Sequence, residues 1–163
     1  MYQMKLAYNA PDAESYRALF ARDEFELTFD ETPEGFAGRW GYDEEMAATR
    51  AMFEGAYHVV LEMAATEDAV GTPPPAATAF TTKPLDVRVR VWREPTYCYY
   101  ARGRVAFALR KPGAAAPWII VGMSDKTGAA HADVAAGEQT APCSWAEIKW
   151  CYLREAEGKD ARD

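Results

Sequence analysis

The order of segment types constrains this chain more than any single motif. A short helical stretch, a strand and a longer helix come first, followed by a run of strands and a closing helix. Pro11-Asp12 opens a short helix reaching about Arg22, in which Tyr16, Leu19 and Phe20 sit at i, i+3 and i+4 and give one apolar stripe. Phe25, Leu27 and Phe29 alternate with Glu26 and Thr28, the pattern of a half-buried strand. A loop punctuated by Pro33, Gly35, Gly38 and Gly41 leads to a second helix. Asp43 is placed to cap that helix, and Glu44 and Glu45 lie in its first turn, where the helix dipole favours acid. Met46, Thr49, Phe53 and Ala56 form its predicted inner face, and Gly55 is its predicted stop.

The second half reads as strands. Tyr57, Val59, Leu61 and Met63 alternate with His58, Val60 and Glu62. Leu85, Val87, Val89 and Val91 form the clearest strand, with Asp86, Arg88, Arg90 and Trp92 opposite. After the turn Glu94-Pro95-Thr96, the alternation resumes from Tyr97 and Tyr99 through Ala101, Gly103, Val105 and Phe107 to Leu109. Lys111-Pro112-Gly113 turns the chain into a strand from Trp118 to Ser124, and Trp118 is expected to be buried. Residues 64–83 are rich in Ala, Thr and Pro around Pro73-Pro74-Pro75. Proline cannot donate to a ladder, so 66–82 are expected to be a mobile, dispensable loop. Residues 128–141 lack large apolar side chains and read as an exposed loop. Ser144-x-x-Glu147 is a capping box, and Trp145, Ile148 and Tyr152 mark one face of a closing helix. Helices followed by a run of strands imply an α+β domain over residues 1–153, with a strongly curved, mostly antiparallel sheet wrapped over about three helices. Residues 154–163 are a charged tail expected to fray.

Composition narrows the partners. Of 163 residues, 49% are hydrophobic and 13% aromatic, enough for one domain with a substantial core. The net charge of −7 argues against nucleic acid and anionic membrane surfaces, which call for clustered cations. Arg88, Arg90, Arg93, Arg102, Arg104, Arg110 and Lys111 do cluster, but they alternate with apolar residues and read as the wet face of a sheet. Cys98, Cys143 and Cys151 are odd in number and lack a C-x-x-C spacing, which argues against a disulfide framework or a zinc site. No apolar run is long enough to span a membrane, and Met1 to Lys5 lacks an apolar signal core, so a cytoplasmic protein is expected.

With these segments in order, the chain resembles the nuclear-transport-factor-2-like superfamily, and within it the bacterial members. This cystatin-like α+β cone is shared by ketosteroid isomerase, scytalone dehydratase and SnoaL-type cyclases. The likeness rests on the aromatic-rich start (Ala7-Tyr8, Tyr16, Leu19-Phe20, Phe25) and on Trp40 ahead of Glu44-Glu45 and Thr49-Arg50 to Phe53. A W-x-I-x-x-W-x-D strand stands here as Trp118, Ile120, Met123 and Asp125, and an S-W-G-x-x-K close as Ser144, Trp145, Ala146 and Lys149. Met123 and Ala146 depart from that pattern, and the first helix is short. The resemblance implies a cavity between the helices and the concave sheet face, a homodimer, and no cofactor.

Members with known activity place a carboxylate or His on the inner sheet face, often beside a Tyr. The candidates here are Asp125, His58 and Tyr99, each with a plainer reading: a strand-end turn, a polar-face histidine, a core or interface aromatic. In the isomerase logic a carboxylate beside an apolar cavity has a raised pKa and serves as base. His131 falls in the 128–141 loop, and two histidines without clustered carboxylates argue against a metal site. No serine has a G-x-S-x-G context, and no Gly-rich loop joins strand to helix, so neither a hydrolase triad nor a nucleotide site is supported. Trp40, Phe53, Tyr99, Phe107, Trp118 and Met123 are the expected pocket lining, between the helix carrying Met46 and Phe53 and the inner sheet face. Three readings follow: a small-molecule-binding domain for an apolar ligand, a cofactor-free isomerase, dehydratase or cyclase using Asp125 or His58 with a tyrosine, or a dimeric interaction module without a ligand.

Overall fold

The structure is a computed structural model, and it describes residues 1–30, 38–63, 67–129 and 139–160. The helices are α1 (Tyr2–Asn9), α2 (Ala13–Arg17), α3 (Tyr42–Gly55), α4 (Glu67–Val70) and α5 (Trp145–Asp160). The strands are β1 (Glu26–Phe29), β2 (Arg39–Gly41), β3 (His58–Met63), β4 (Ala79–Thr81), β5 (Leu85–Glu94), β6 (Tyr97–Arg110), β7 (Ile119–Ala129) and β8 (Gln139–Pro142). They form one sheet in the order β2-β1-β7-β6-β5-β3, with β4 and β8 also paired to β6. The class is α+β, with α1, α3 and α5 as the longer helices. The sheet is mixed, because β1–β7 and β6–β8 run parallel while the other named pairs are antiparallel.

The β5–β6 pair follows from the alternation. Leu85, Val87, Val89 and Val91 are buried, and so are Ala101 and Val105 across the ladder and Phe107 and Leu109 farther along β6. Gly103 is required at a close approach: a Cβ there would lie 2.3 Å from the Lys126 carbonyl oxygen on β7. Register shifts beside Ala108 and Trp92 mark irregularities of the kind that bend a sheet. At the β3 edge, Asn9 Oδ1 accepts a 2.7 Å hydrogen bond from the Leu61 N–H, tying the end of α1 to the sheet.

Several local expectations need correcting. The short helix ends at Arg17 rather than Arg22; Asp12 caps it by accepting from the Glu14 and Ser15 N–H groups. Gly41, not Asp43, is the N-cap of α3, and its N–H donates to Glu44 Oε2 at 3.1 Å. The buried face of α3 is Tyr42, Glu45, Ala48, Thr49 and Met52, one position out of phase with the Met46–Phe53 stripe. Residues 67–82 are not a bare loop. They contain α4 and β4, and Thr82 is tied to Phe107 by two hydrogen bonds, N–H to O at 2.9 Å and Phe107 N–H to Thr82 Oγ1 at 3.0 Å. The segment therefore extends the ladder past the point where β5 begins, a role that its prolines conceal because all three precede β4. β7 runs to Ala129 and β8 takes up Gln139–Pro142, so both ends of the expected 128–141 loop are strand, and His131 lies outside the described residues. The helix also continues through the charged tail to Asp160, where Arg93 pairs with Glu155 at 2.8 Å. The capping box at Ser144 and Glu147 closes as expected, with bonds of 2.6 Å and 3.2 Å.

Candidate functional site

The space between helices and sheet holds two unlike centres. The first is a buried polar cluster. Glu45 on α3 and Lys149 on α5 are 0% and 1% exposed, and they form an ion pair through Lys149 Nζ and Glu45 Oε1. Tyr16 Oη donates to the same carboxylate oxygen at 2.6 Å, and Thr49 Oγ1 donates to it at 3.1 Å. The ammonium lies 4.7 Å from the Trp145 ring centroid and 6.0 Å from that of Tyr16. Tyr8 is fully buried with its ring edge-on to Tyr16, Phe53 and Trp145. Among the described residues, Glu45 Oε2 and Trp145 Nε1 find no hydrogen-bond partner.

The electrostatics of this cluster disfavour nucleophilic chemistry. Burial pulls the Lys149 ammonium down, but Glu45, followed by Tyr8, more than reverses it, so the amine is held above its ordinary range. Burial, then the charge of Glu45, pushes the Tyr16 phenol well up. A sealed ammonium–carboxylate pair with raised phenols joins α2, α3 and α5; it offers neither a free amine nor a phenolate. Asp125 stands nearby on β7, 2% exposed, opposite Val105 and beside Phe29. Burial pushes its carboxyl up to about 6, opposed by hydrogen bonds from Thr127 and by the charge of Lys149. The Thr127 N–H donates to Asp125 Oδ1 at 2.8 Å. Asp125 is thus an interior strand residue rather than a strand-end turn.

The second centre is an apolar cavity of about 410 Å³, lined by Met1, Tyr2 and Gln3 of the first segment, Leu19, Val70, Gly71, Leu109, Trp118 and Ile120. That volume lies in the range of small-molecule sites, about 300–1,000 Å³. Gly71 has φ +89° and its Cβ position would meet Phe80 at 3.3 Å, so a glycine both permits the turn and keeps this wall thin. Trp118 is only partly buried, not the core residue its apolar flanks imply. Its ring lies 6.4 Å from that of Phe80, tilted by 58°, and carries the Lys111 ammonium 5.3 Å above it.

The six expected lining residues do not share one wall. Trp40, Phe107 and Met123 are core residues, while Phe53, Tyr99 and Trp118 pack against that core from its margin. Trp118 alone of the six lines the apolar cavity. The ground under α3 is occupied by Glu45, Tyr8, Tyr16 and Met52 instead. His58 is exposed at the start of β3, its ring 5.3 Å from that of Trp92, and it does not face the interior. Tyr99 accepts a 3.3 Å hydrogen bond from Arg93 and packs at 5.5 Å on Tyr97. On β6 it lies six residues from Val105, the partner of Asp125, which at the strand rise of about 3.3 Å is roughly 20 Å away. Asp125, His58 and Tyr99 are therefore not brought together. Cys98 is buried, Cys143 half-buried and Cys151 exposed, and none of the three is in a disulfide; burial pushes the Cys143 thiol up to about 12, so it is no nucleophile at neutral pH. Among the described residues, no helix is long and apolar enough to cross a membrane.

Sequence reasoning did not assemble the Glu45–Lys149 pair. The signal was present: Glu45, Ala48, Thr49 and Met52 share one helical face, and Lys149 follows Trp145 and Ile148 on another. A charge placed within each buried stripe calls for a partner from the other.

No protein-family model and no curated protein matches the sequence. Solved structures do match. A protein of unknown function from Mycobacterium tuberculosis, Rv3472, superposes with a TM-score of 0.61 at 15% identity, covering 97% of this chain and 84% of that one. Hexachlorocyclohexane dehydrochlorinase LinA type 3 from Novosphingobium barchaimii LL02 gives 0.58 at 8% identity, covering 86% and 89%. A domain of unknown function with a cystatin-like fold from Nostoc punctiforme gives 0.53 at 17%, covering 77% and 70%. The likeness shows the fold, a cystatin-like α+β fold.

Proposed function

We propose that this chain binds a small, mainly apolar molecule in the cavity beside Trp118. The observation that carries the reading is the cavity itself: about 410 Å³, walled by α1, the α2–β1 connection, α4 and the ends of β6 and β7. Among the described residues its lining includes no carboxylate and no imidazole, so it supplies apolar contact, the amide of Gln3 and the phenol of Tyr2 rather than a carboxylate or histidine base. This favours binding over catalysis. A cofactor-free enzyme is the second reading, supported by the raised Asp125 carboxyl and by the dehydrochlorinase among the neighbours. Asp125, however, is five residues along β7 from Ile120, about 17 Å at the usual strand rise, and outside the lining.

The test is a thermal-shift and tryptophan-fluorescence titration with flat apolar ligands, steroids and polyketide-like aromatics among them. A ligand at ~100 times its dissociation constant should raise stability by about 2.7 kcal/mol. Leu19→Trp, which fills the cavity from its rim, should abolish the shift while leaving the unliganded protein folded. A shift that survives Leu19→Trp would place the ligand elsewhere. No shift with any ligand would remove the binding reading and leave an interaction module.

A further inference from the structure

We propose that the outer sheet face at Arg88, Arg102 and Arg104, with Lys5 beside it, binds the phosphate group of a small soluble molecule. This does not rest on the apolar cavity. The groove has a volume of about 670 Å³ and lies beside the Met63–Val87 and Glu62–Arg88 pairs of β3 and β5. Its walls carry Lys5, Arg88, Arg102 and Arg104 together with Glu62 and Asp86.

The charge arrangement is hard to explain as a solvated face alone. Arg88 and Arg102 are direct cross-strand partners on β5 and β6. Like charges placed directly opposite each other destabilise a sheet. The neighbouring carboxylates offset this only in part, Glu62 being the cross-strand partner of Arg88 on its other side. Glu62 is shared between Arg88 at 3.6 Å and Arg90 at 3.8 Å, and Asp86 is taken by Arg104 at 3.4 Å. Among the described residues, neither Arg102 nor Lys5 has an ion pair. A local surplus of positive charge thus stands on a chain whose net charge is −7.

An oxyanion lying between Arg88 and Arg102 would turn that repulsion into attraction. The planar guanidinium fork pairs with phosphate through two parallel hydrogen bonds, and Arg104 and Lys5 add donors at the margins. A compact anion is favoured over a polyanion because the groove is bounded by Glu62 and Asp86, and because the acidic remainder of the chain repels an extended charge.

The experiment is a two-dimensional amide NMR titration at constant ionic strength, with inorganic phosphate and glycerol 3-phosphate as probes and chloride as the reference anion. Saturable shifts are expected at residues 5, 88, 102 and 104. Arg102→Gln should weaken binding by about tenfold or more, as loss of a charge-assisted bond does. Arg154→Gln, a change on an exposed α5 arginine, should leave binding unchanged. Absence of saturable shifts, or equal binding by Arg102→Gln, would overturn the proposal. So would capture by phosphatidic-acid vesicles without binding of glycerol 3-phosphate, since the ligand would then be a membrane surface.

Discussion

The buried Glu45–Lys149 centre and the cavity beside Trp118 occupy the same interior and are built in opposite ways. Under α3 and α5, space is closed by a charge pair, two phenols and an indole packed edge to face, with no group more than 1% exposed among Tyr8, Tyr16, Glu45, Thr49, Trp145 and Lys149. Beside α4 the walls come from short or terminal pieces: the first residues of α1, the end of α4, and strand ends at Leu109 and Ile120. Long helices can bring large side chains from successive turns into one place and fill it. Single-turn elements cannot, and a void remains. In this chain a cavity is left where regular structure runs out, while titratable residues placed on long helices are absorbed as internal ties.

The largest test of that contrast strikes the closed centre. Lys149→Met leaves the Glu45 carboxylate buried without its cation, and Glu45→Gln leaves the ammonium so; each should cost about 3–5 kcal/mol in chemical denaturation. The double variant Glu45→Gln/Lys149→Met should recover much of the loss, because no uncompensated charge remains. Strictly additive losses would show that the two groups do not act as a pair.

Asp125 sharpens the contrast through pH. Its folded carboxyl is pushed up to about 6 from an ordinary 3.8, chiefly by burial. The folded state therefore holds this proton more tightly than the unfolded chain. That contribution is complete below the ordinary value and is lost as pH rises through 6. A gap of about two units corresponds to about 3 kcal/mol between pH 4 and pH 8. Asp125→Asn, whose amide oxygen can still accept from Thr127, should lack this loss, so its stability relative to the parent should rise by that amount across the interval. A constant difference between the two proteins would mean that Asp125 titrates normally.

The fold was legible where one periodicity governed a long segment: β5 and β6 from strict alternation, α5 from its capping box and the Trp145–Ile148–Tyr152 stripe. It was illegible where pairing depends on a distant strand. Nothing local to Ala79–Thr81 announces a partner at Ala108–Arg110, and the parallel docking of β8 on Tyr97–Tyr100 is equally non-local. The phase of α3 was misread because Met46 and Phe53 outrank Glu45 on any apolarity scale, whereas Lys149, 104 residues away, is what makes burying Glu45 possible. The aromatic residues were identified as interior, but filling and lining a cavity draw on the same residue types, so composition could not separate Phe107 from Trp118.

The smallest expected effect concerns those two kinds of interior directly. Trp118 and Trp145 are both indoles on the inner side of the sheet, one partly buried at a cavity and one 1% exposed at the charged centre. Trp145→Ala removes a fully packed ring and the face that Lys149 lies over, and should cost about 3–5 kcal/mol. Trp118→Ala removes a ring with solvent or void on one side, and should cost only about 1–2 kcal/mol. The loss should come from the contacts with Phe80 and the Lys111 ammonium, because part of the area is never taken from water. Paired urea-melt midpoints decide the matter. Equal losses would mean that Trp118 is as tightly packed as Trp145, and the cavity would then have no open wall for a ligand to meet.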